Sequence, residues 1–219
     1  MAWILNIETA TKNCSVSLAK DGITIALQEY AGEGYSHAEK LHLFVQDVIN
    51  TAGITLSDLS AVAVSIGPGS YTGLRIGVSS AKGLCYSLGI PMIAIDTLEL
   101  LARKIEIADG VIIPMIDARR MEVYSAVFDP AYTRLREIKA EIIDEASFAE
   151  FSGPIHLVGD GAAKCREILG NIKFEYYDDV IYPSAAEMGL LSFEKHKKSD
   201  TVDVAYFEPF YLKDFISGR

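Results

Sequence analysis

Ala61-Val62-Ala63-Val64-Ser65-Ile66-Gly67-Pro68-Gly69-Ser70-Tyr71-Thr72-Gly73-Leu74-Arg75-Ile76-Gly77 is the stretch whose reading decides the fold. Residues 61–66 form a short apolar run, the pattern of a strand buried on both faces. Gly67-Pro68-Gly69-Ser70 breaks that run, and the spacing predicts a helix over 72–88, closed by Gly89 and Pro91. A helix N-terminus behind a glycine turn exposes unpaired amides and the positive dipole end, so it can cradle an anion. Gly67 and Gly69 permit close backbone approach, Ser70 or Thr72 can cap, and Arg75 lies one turn in. Neither GxxxxGK[ST] nor GxGxxG is present, and the turn alone favours a structural role over an anion site.

The helix carries a second signal. Gly73, Gly77, Ser80 and Leu84 share one face with Ala81 beside them, while Leu74, Val78, Cys85 and Leu88 share the neighbouring face. Each interior glycine costs about 1 kcal/mol relative to alanine, so another backbone is expected to come close. That backbone belongs either to this chain or to a partner, and the pattern leaves both open.

Working outward, residues 3–7, 14–20 and 23–30 read as three strands. Asp21-Gly22 joins the last two as a type I′ hairpin, and residues 8–13 are a polar turn. Ser36 and Glu39 have capping-box spacing ahead of Ala38, Leu41, Val45, Val48 and Ala52, so a helix is expected there, ended by Gly53. A buried strand over 92–95 and a helix from Thr97 follow. The pattern restarts after Ala108-Asp109-Gly110: a strand over 111–116, the turn Asp117-Ala118-Arg119-Arg120, and a strand over 122–128. Later come a strand over 155–158, the loop Gly159-Asp160-Gly161, and a helix opened by a capping box from Ser184 to Glu187. Strands followed by alternating helix and strand, twice over, predict an α/β protein of two related lobes of mixed sheet. The lobes are expected over 1–107 and 108–219, the second with fewer clear helices.

Composition narrows the function classes. Half of the 219 residues are hydrophobic and the net charge is −10, a surface that repels phosphate backbones unless basic groups are concentrated locally. The tight basic cluster Lys195-His196-Lys197-Lys198 falls at a helix end, where cations suit the carbonyl terminus. No apolar stretch reaches the ~20 residues of a membrane helix, and Met1-Ala2-Trp3-Ile4-Leu5-Asn6 reads as a strand rather than an export signal. Cys14, Cys85 and Cys165 show no metal or disulfide spacing, which points to a cytoplasmic chain with free thiols. His37 and His42 are five apart and do not face one ion, so no metal site is expected. There is no GxSxG elbow. Glu8, Asp117 and Asp160 are candidate carboxylates around a cleft, though each also suits a turn or cap.

The segments Ile4-Leu5-Asn6-Ile7-Glu8-Thr9-Ala10-Thr11, Ser36-His37-Ala38-Glu39-Lys40-Leu41, Gly67 to Gly77, Asp117-Ala118-Arg119-Arg120-Met121-Glu122-Val123-Tyr124 and Pro209-Phe210-Tyr211-Leu212 together resemble the bacterial TsaB (YeaZ) family. The likeness is closest over residues 1 to about 125. It implies the actin-like ATPase (ASKHA, ribonuclease H-like) fold: two lobes of mixed sheets flanked by helices, the second reduced. It also implies a subunit needed for threonylcarbamoyladenosine formation on tRNA, docking on and activating the TsaD transferase without catalytic residues of its own. The ATPase TsaE joins that pair, tRNA is met through the complex, and a homodimer is expected when the chain is alone.

In that family pairing uses first-lobe helices, which here gives His37, Leu41, Gly73, Gly77, Ser80 and Leu84 as interface residues. Glu8, Thr9, Gly67, Gly69, Ser70 and Arg75 are the residues available for an anion or nucleotide contact. No intrinsic cofactor is implied, ATP or ADP at the partner interface being the one nucleotide left open. Two departures bear on activity. The transferase relatives hold metal through HxxxH, where this chain has His37 and Leu41; and Glu8 is followed by threonine and alanine, not the glycine of an ATPase hairpin. The competing reading is a small phosphotransferase or acyltransferase on the same fold with its own nucleotide site.

Overall fold

The computed structural model describes residues 1–32, 37–170 and 173–213. Its first sheet opens with β1 (Trp3–Glu8), β2 (Asn13–Lys20) and β3 (Ile23–Ala31), each antiparallel to the one before. Asp21 and Gly22 both have positive φ, 50° and 89°, as the two-residue hairpin requires. β4 (Ala61–Ser65) pairs parallel with β1, and β5 (Met92–Ile95) parallel with β4, giving the order β3-β2-β1-β4-β5. Every residue of β4 is buried, as its unbroken apolar run predicts.

Two helices cross this sheet, α1 (His37–Ala52) and α2 (Tyr71–Leu88). The expected capping serine of α1, Ser36, lies outside the described residues. α2 begins one residue earlier than expected because Ser70 is its cap, accepting the Gly73 amide at 3.3 Å. Gly89 closes it in the left-handed conformation. Leu41, Val45 and Val48 of α1 and Val78, Ala81 and Cys85 of α2 pack with Leu5, Ile7, Val16, Val62 and Val64 into one core.

The second sheet repeats the plan. β6 (Val111–Asp117), β7 (Glu122–Phe128) and β8 (Arg134–Ile142) are an antiparallel meander; β9 (Ile155–Val158) and β10 (Phe174–Tyr177) add parallel strands, in the order β10-β9-β6-β7-β8. Three antiparallel strands followed by two parallel ones, twice, flanked by helices, is the actin-like architecture that the family resemblance implies. The second copy is reduced: turns replace a helix between β8 and β9, and only α4 (Ala162–Leu169) lies between β9 and β10. β8 escaped the sequence reading because charges interrupt it at nearly every second residue, as befits an edge strand.

The two compact units are not consecutive halves. One comprises Met1–Thr97 with Ser184–Phe210, the other Leu98–Pro183 with the residues from Tyr211. This differs from the expected division between 107 and 108. α3 (Thr97–Ala102) follows the first sheet, yet Leu98, Leu101 and Ala102 pack with Ile112, Ile116, Ala126 and Phe128 of the second. α5 (Met188–Lys197) follows the second sheet, yet it packs on the first. The 3₁₀ turn Ala185–Glu187 ahead of it is tied down by Ser17 Oγ donating to the Ala185 carbonyl at 2.7 Å and Thr24 Oγ1 donating to Ala186 at 3.1 Å. The basic residues ending α5 serve the helix, Lys195 pairing with Asp200 and Lys197 with Glu194, each at 2.6 Å. Beyond it the chain returns along the first unit: Lys82 donates to the Ala205 and Phe207 carbonyls, and the Phe210 amide to the Ile66 carbonyl.

Candidate functional site

The turn after β1 joins the starts of α1 and α2. Thr9, Ala10 and Thr11 are all buried. Thr9 Oγ1 donates to the Gly73 carbonyl at 2.8 Å, and the Ser70 amide donates to the Ala10 carbonyl at 2.7 Å. On the α1 side, His37 Nε2 lies 2.8 Å from the Thr11 carbonyl, so that nitrogen carries the hydrogen and donates. Burial holds the His37 ring below its ordinary pKa, in keeping with a neutral imidazole.

Those contacts resolve what the small-residue face of α2 is for. A Cβ on Gly73 would fall on the Thr9 carbonyl oxygen, one on Gly77 on Thr9 Oγ1, and one on Gly69 on the Ala10 carbonyl oxygen. Gly73 and Gly77 are buried against this chain's own turn, and His37 and Leu41 are equally buried. Four of the six expected interface residues are therefore internal. Only Ser80 and Leu84 reach the surface, each half-buried. The helical period put the glycines on one face and left its neighbour open; the resemblance gave that face to a partner, whereas it lies against this chain's own turn, because an internal turn and a partner ask for the same small residues.

Donors in and just after the glycine turn are used inside the chain. The Gly67 amide donates to Thr97 Oγ1 at 3.0 Å, the Ser70 amide to Ala10 and the Gly73 amide to Ser70 Oγ. Glu8, at the end of β1, is wholly buried; its Oε1 accepts the Ala10 amide at 2.5 Å, and among the described residues its Oε2 has no hydrogen-bond partner of ordinary geometry. Burial pushes the carboxyl up to about 7, opposed by the Ala10 amide and the nearby Ser65 hydroxyl and reinforced by the Glu187 carboxylate. The Ser65 Oγ makes no hydrogen bond of ordinary geometry itself. Arg75, the remaining candidate, is exposed and donates to the Tyr71 hydroxyl at 2.8 Å. Cys14 and Cys85 are driven by burial up to about 11, so both stay protonated.

The outward faces of the same helices look different. Gly83 lies about 240° around α2 from Gly77, and a Cβ there would meet nothing within 4 Å. Its neighbour one turn on, Tyr86, is 86% exposed, and Leu43 on α1 is 64% exposed. The sequence did carry this signal: Gly83 is a third interior glycine off the stripe of the other two, with no internal role at its angle.

In the second unit, Asp117 and Asp160 build a turn. Asp160 Oδ1 accepts the Asp117 amide at 2.9 Å, and Asp117 Oδ1 accepts the Arg119 amide at 2.8 Å. Lys164, from α4, bonds the Asp117 carboxylate and donates to the carbonyls of Arg120 at 2.8 Å and Glu122 at 2.6 Å. The tip these groups grip holds Arg119 and Arg120 in succession at φ 73° and 53°. For residues with a Cβ each such conformation costs roughly 1–2 kcal/mol. Among the described residues no three histidine, cysteine or acidic side chains could hold a metal ion, and no helix is long and apolar enough to cross a membrane.

Comparison with known proteins places this geometry in a family. Over 226 aligned residues the chain is 32% identical to the tRNA threonylcarbamoyladenosine biosynthesis protein TsaB of Escherichia coli (strain K12), covering 99% of this chain and 96% of that protein. The chain belongs to the TsaB family. TsaB of Bacillus subtilis (strain 168) is 39% identical over 126 residues, 57% of this chain and 54% of that one. A family model described as TsaD: tRNA N6-adenosine threonylcarbamoyltransferase matches residues 34–214 of this chain. Among solved structures, YeaZ from Pseudomonas aeruginosa superposes with a TM-score of 0.84 over 97% of this chain and all of that one, at 24% identity, a likeness of fold.

Proposed function

We propose that this TsaB-family chain is a subunit required for threonylcarbamoyladenosine formation on tRNA, and that it activates the TsaD transferase by docking on it rather than by supplying a catalytic group. The observation that carries the reading is the whole-length match to a protein named for that biosynthesis. The outward faces of α1 and α2 are the docking surface in this proposal. Gly83 favours it because a helix glycine with open space above it lowers helix stability with no return inside the chain. A large aromatic at Tyr86 and an aliphatic at Leu43 offer the exposed apolar anchors on which interfaces depend. When the partner is missing, a second copy of the chain can cover the same faces; TsaE joins the docked pair.

The competing reading, a phosphotransferase with its own nucleotide site, draws little support from the turn over 67–70, where the Gly67 and Ser70 amides are engaged by Thr97 and Ala10. Reconstitution decides between them. Purified TsaD is expected to modify tRNA well with this chain and poorly without it. Gly83→Arg and Tyr86→Glu are expected to keep the wild-type melting temperature while losing co-elution with TsaD and most of the stimulation. Wild-type pairing in both variants would overturn the docking surface, and transfer indifferent to the chain would overturn the function.

A further inference from the structure

We propose that the β6–β7 tip, through Arg119 and Arg120, contacts the phosphate backbone of RNA. The proposal rests on the reading above, that the chain works within an assembly that acts on tRNA, and assigns a part of this chain to the nucleic acid itself.

The tip is held as a rigid mount. Asp117 fixes the Arg119 amide, Asp160 fixes the Asp117 amide, and the Lys164 ammonium draws together the Asp117 carboxylate and the carbonyls of Arg120 and Glu122. The Ala118 amide donates to the Glu122 carbonyl and the Glu122 amide to the Arg119 carbonyl, which closes the loop. Two nearby cations are already matched, Lys164 by Asp117 and Lys213 by Glu122. Arg119 and Arg120 are exposed, and among the described residues neither guanidinium makes a hydrogen bond or an ion pair.

Glycine or asparagine would occupy both left-handed positions with little strain, whereas arginine is unfavourable for the fold at each. The cause of arginine there has to lie in what the side chains meet. A guanidinium presents a planar fork of donors suited to a phosphate, and it keeps its charge at every physiological pH. The chain as a whole carries −10, so contact with a polyanion must be confined to a place where unpaired cations project together. An acidic protein surface is the other polyanion that arginines meet; a backbone of regularly spaced phosphates suits two adjacent forks on a fixed mount better, and the test separates the two.

The experiment measures tRNA affinity across a salt series, for the chain alone and for the chain with its transferase. Each phosphate contact contributes about one to the slope of log affinity against log salt, so Arg119→Ala and Arg120→Ala are each expected to lower that slope by about one. Arg119→Gly and Arg120→Gly are expected to lose the same slope while raising the melting temperature by a few degrees, since they relieve strain. Unchanged slopes in variants that melt at or above the wild-type temperature would overturn the proposal. So would variants that lose association with the transferase while the assembled complex keeps its slope, because the tip then meets protein. A wild-type chain that fails to stimulate transfer counts against the functional reading alone, since the binding slope still decides the tip.

Discussion

Glu8 is sealed at the point where β1 hands over to the turn that braces α1 and α2. Its ordinary value is 4.5, and burial raises it to about 7. Between those values the folded chain holds a proton that the unfolded chain has released, so the contribution to stability is full below about 4.5 and is lost as pH rises through about 7. At about 1.4 kcal/mol per unit the loss amounts to a few kcal/mol. Urea unfolding from pH 5 to 8 should show wild type weakening toward the alkaline end, and Glu8→Gln both flatter and more stable at pH 8. A variant with the wild-type pH slope would show that the carboxyl is solvated. None of this was legible in the sequence, where an acid at a strand end reads the same whether it faces water or is sealed beneath residues from the far end of the chain. The glycine turn already favoured a structural role in the sequence, but the acceptors that engage its amides, Ala10 in the turn after β1 and Thr97 at the start of α3, could not be read there.

At the scale of the element, α2 turns two interior glycines, Gly73 and Gly77, inward and a third, Gly83, outward. Gly73→Ala and Gly77→Ala would each drive a methyl group into Thr9 and should destabilise by about 1–3 kcal/mol. Gly83→Ala meets open space and should stabilise by up to about 1 kcal/mol. Opposite signs for one substitution along one helix, read by thermal or urea melts, test the assignment of inner and outer faces; equal signs would contradict it. The start, the end and the periodicity of α2 were all readable, since Ser70, Gly89 and the apolar spacing act locally. Which face looked inward was not, because Leu74, Val78 and Cys85 and the stripe of Gly73, Gly77 and Ala81 are all buried. A wide inward face leaves the period intact and moves the surface stripe to residues that periodicity alone does not mark.

For the whole molecule, the repeat of strands followed by alternating helix and strand was legible because its pieces are short in sequence and punctuated by turns, although β8 and the pairing order were not. The exchange of α3 and α5 was not, since a helix says nothing about which of two similar sheets it covers. A fragment of residues 1–107 would keep the apolar side chains of α3 and lack everything that α5 and the returning segment place on the first sheet. It should bind a hydrophobic dye and melt without cooperativity in circular dichroism; a sharp transition would mean that the first sheet stands without α5.

The same exchange sets a timetable for synthesis. A ribosome releases the chain from its N-terminus, and most two-lobed proteins let the first lobe finish while the second is being made. Here the first unit includes Ser184–Phe210, so its last pieces emerge after nearly all of the second unit. The early sheet must wait uncapped, with the surface meant for α5 open to whatever else is nearby. Completion of the first unit then waits for residues 184–210: its sheet is covered only after most of the second unit has emerged.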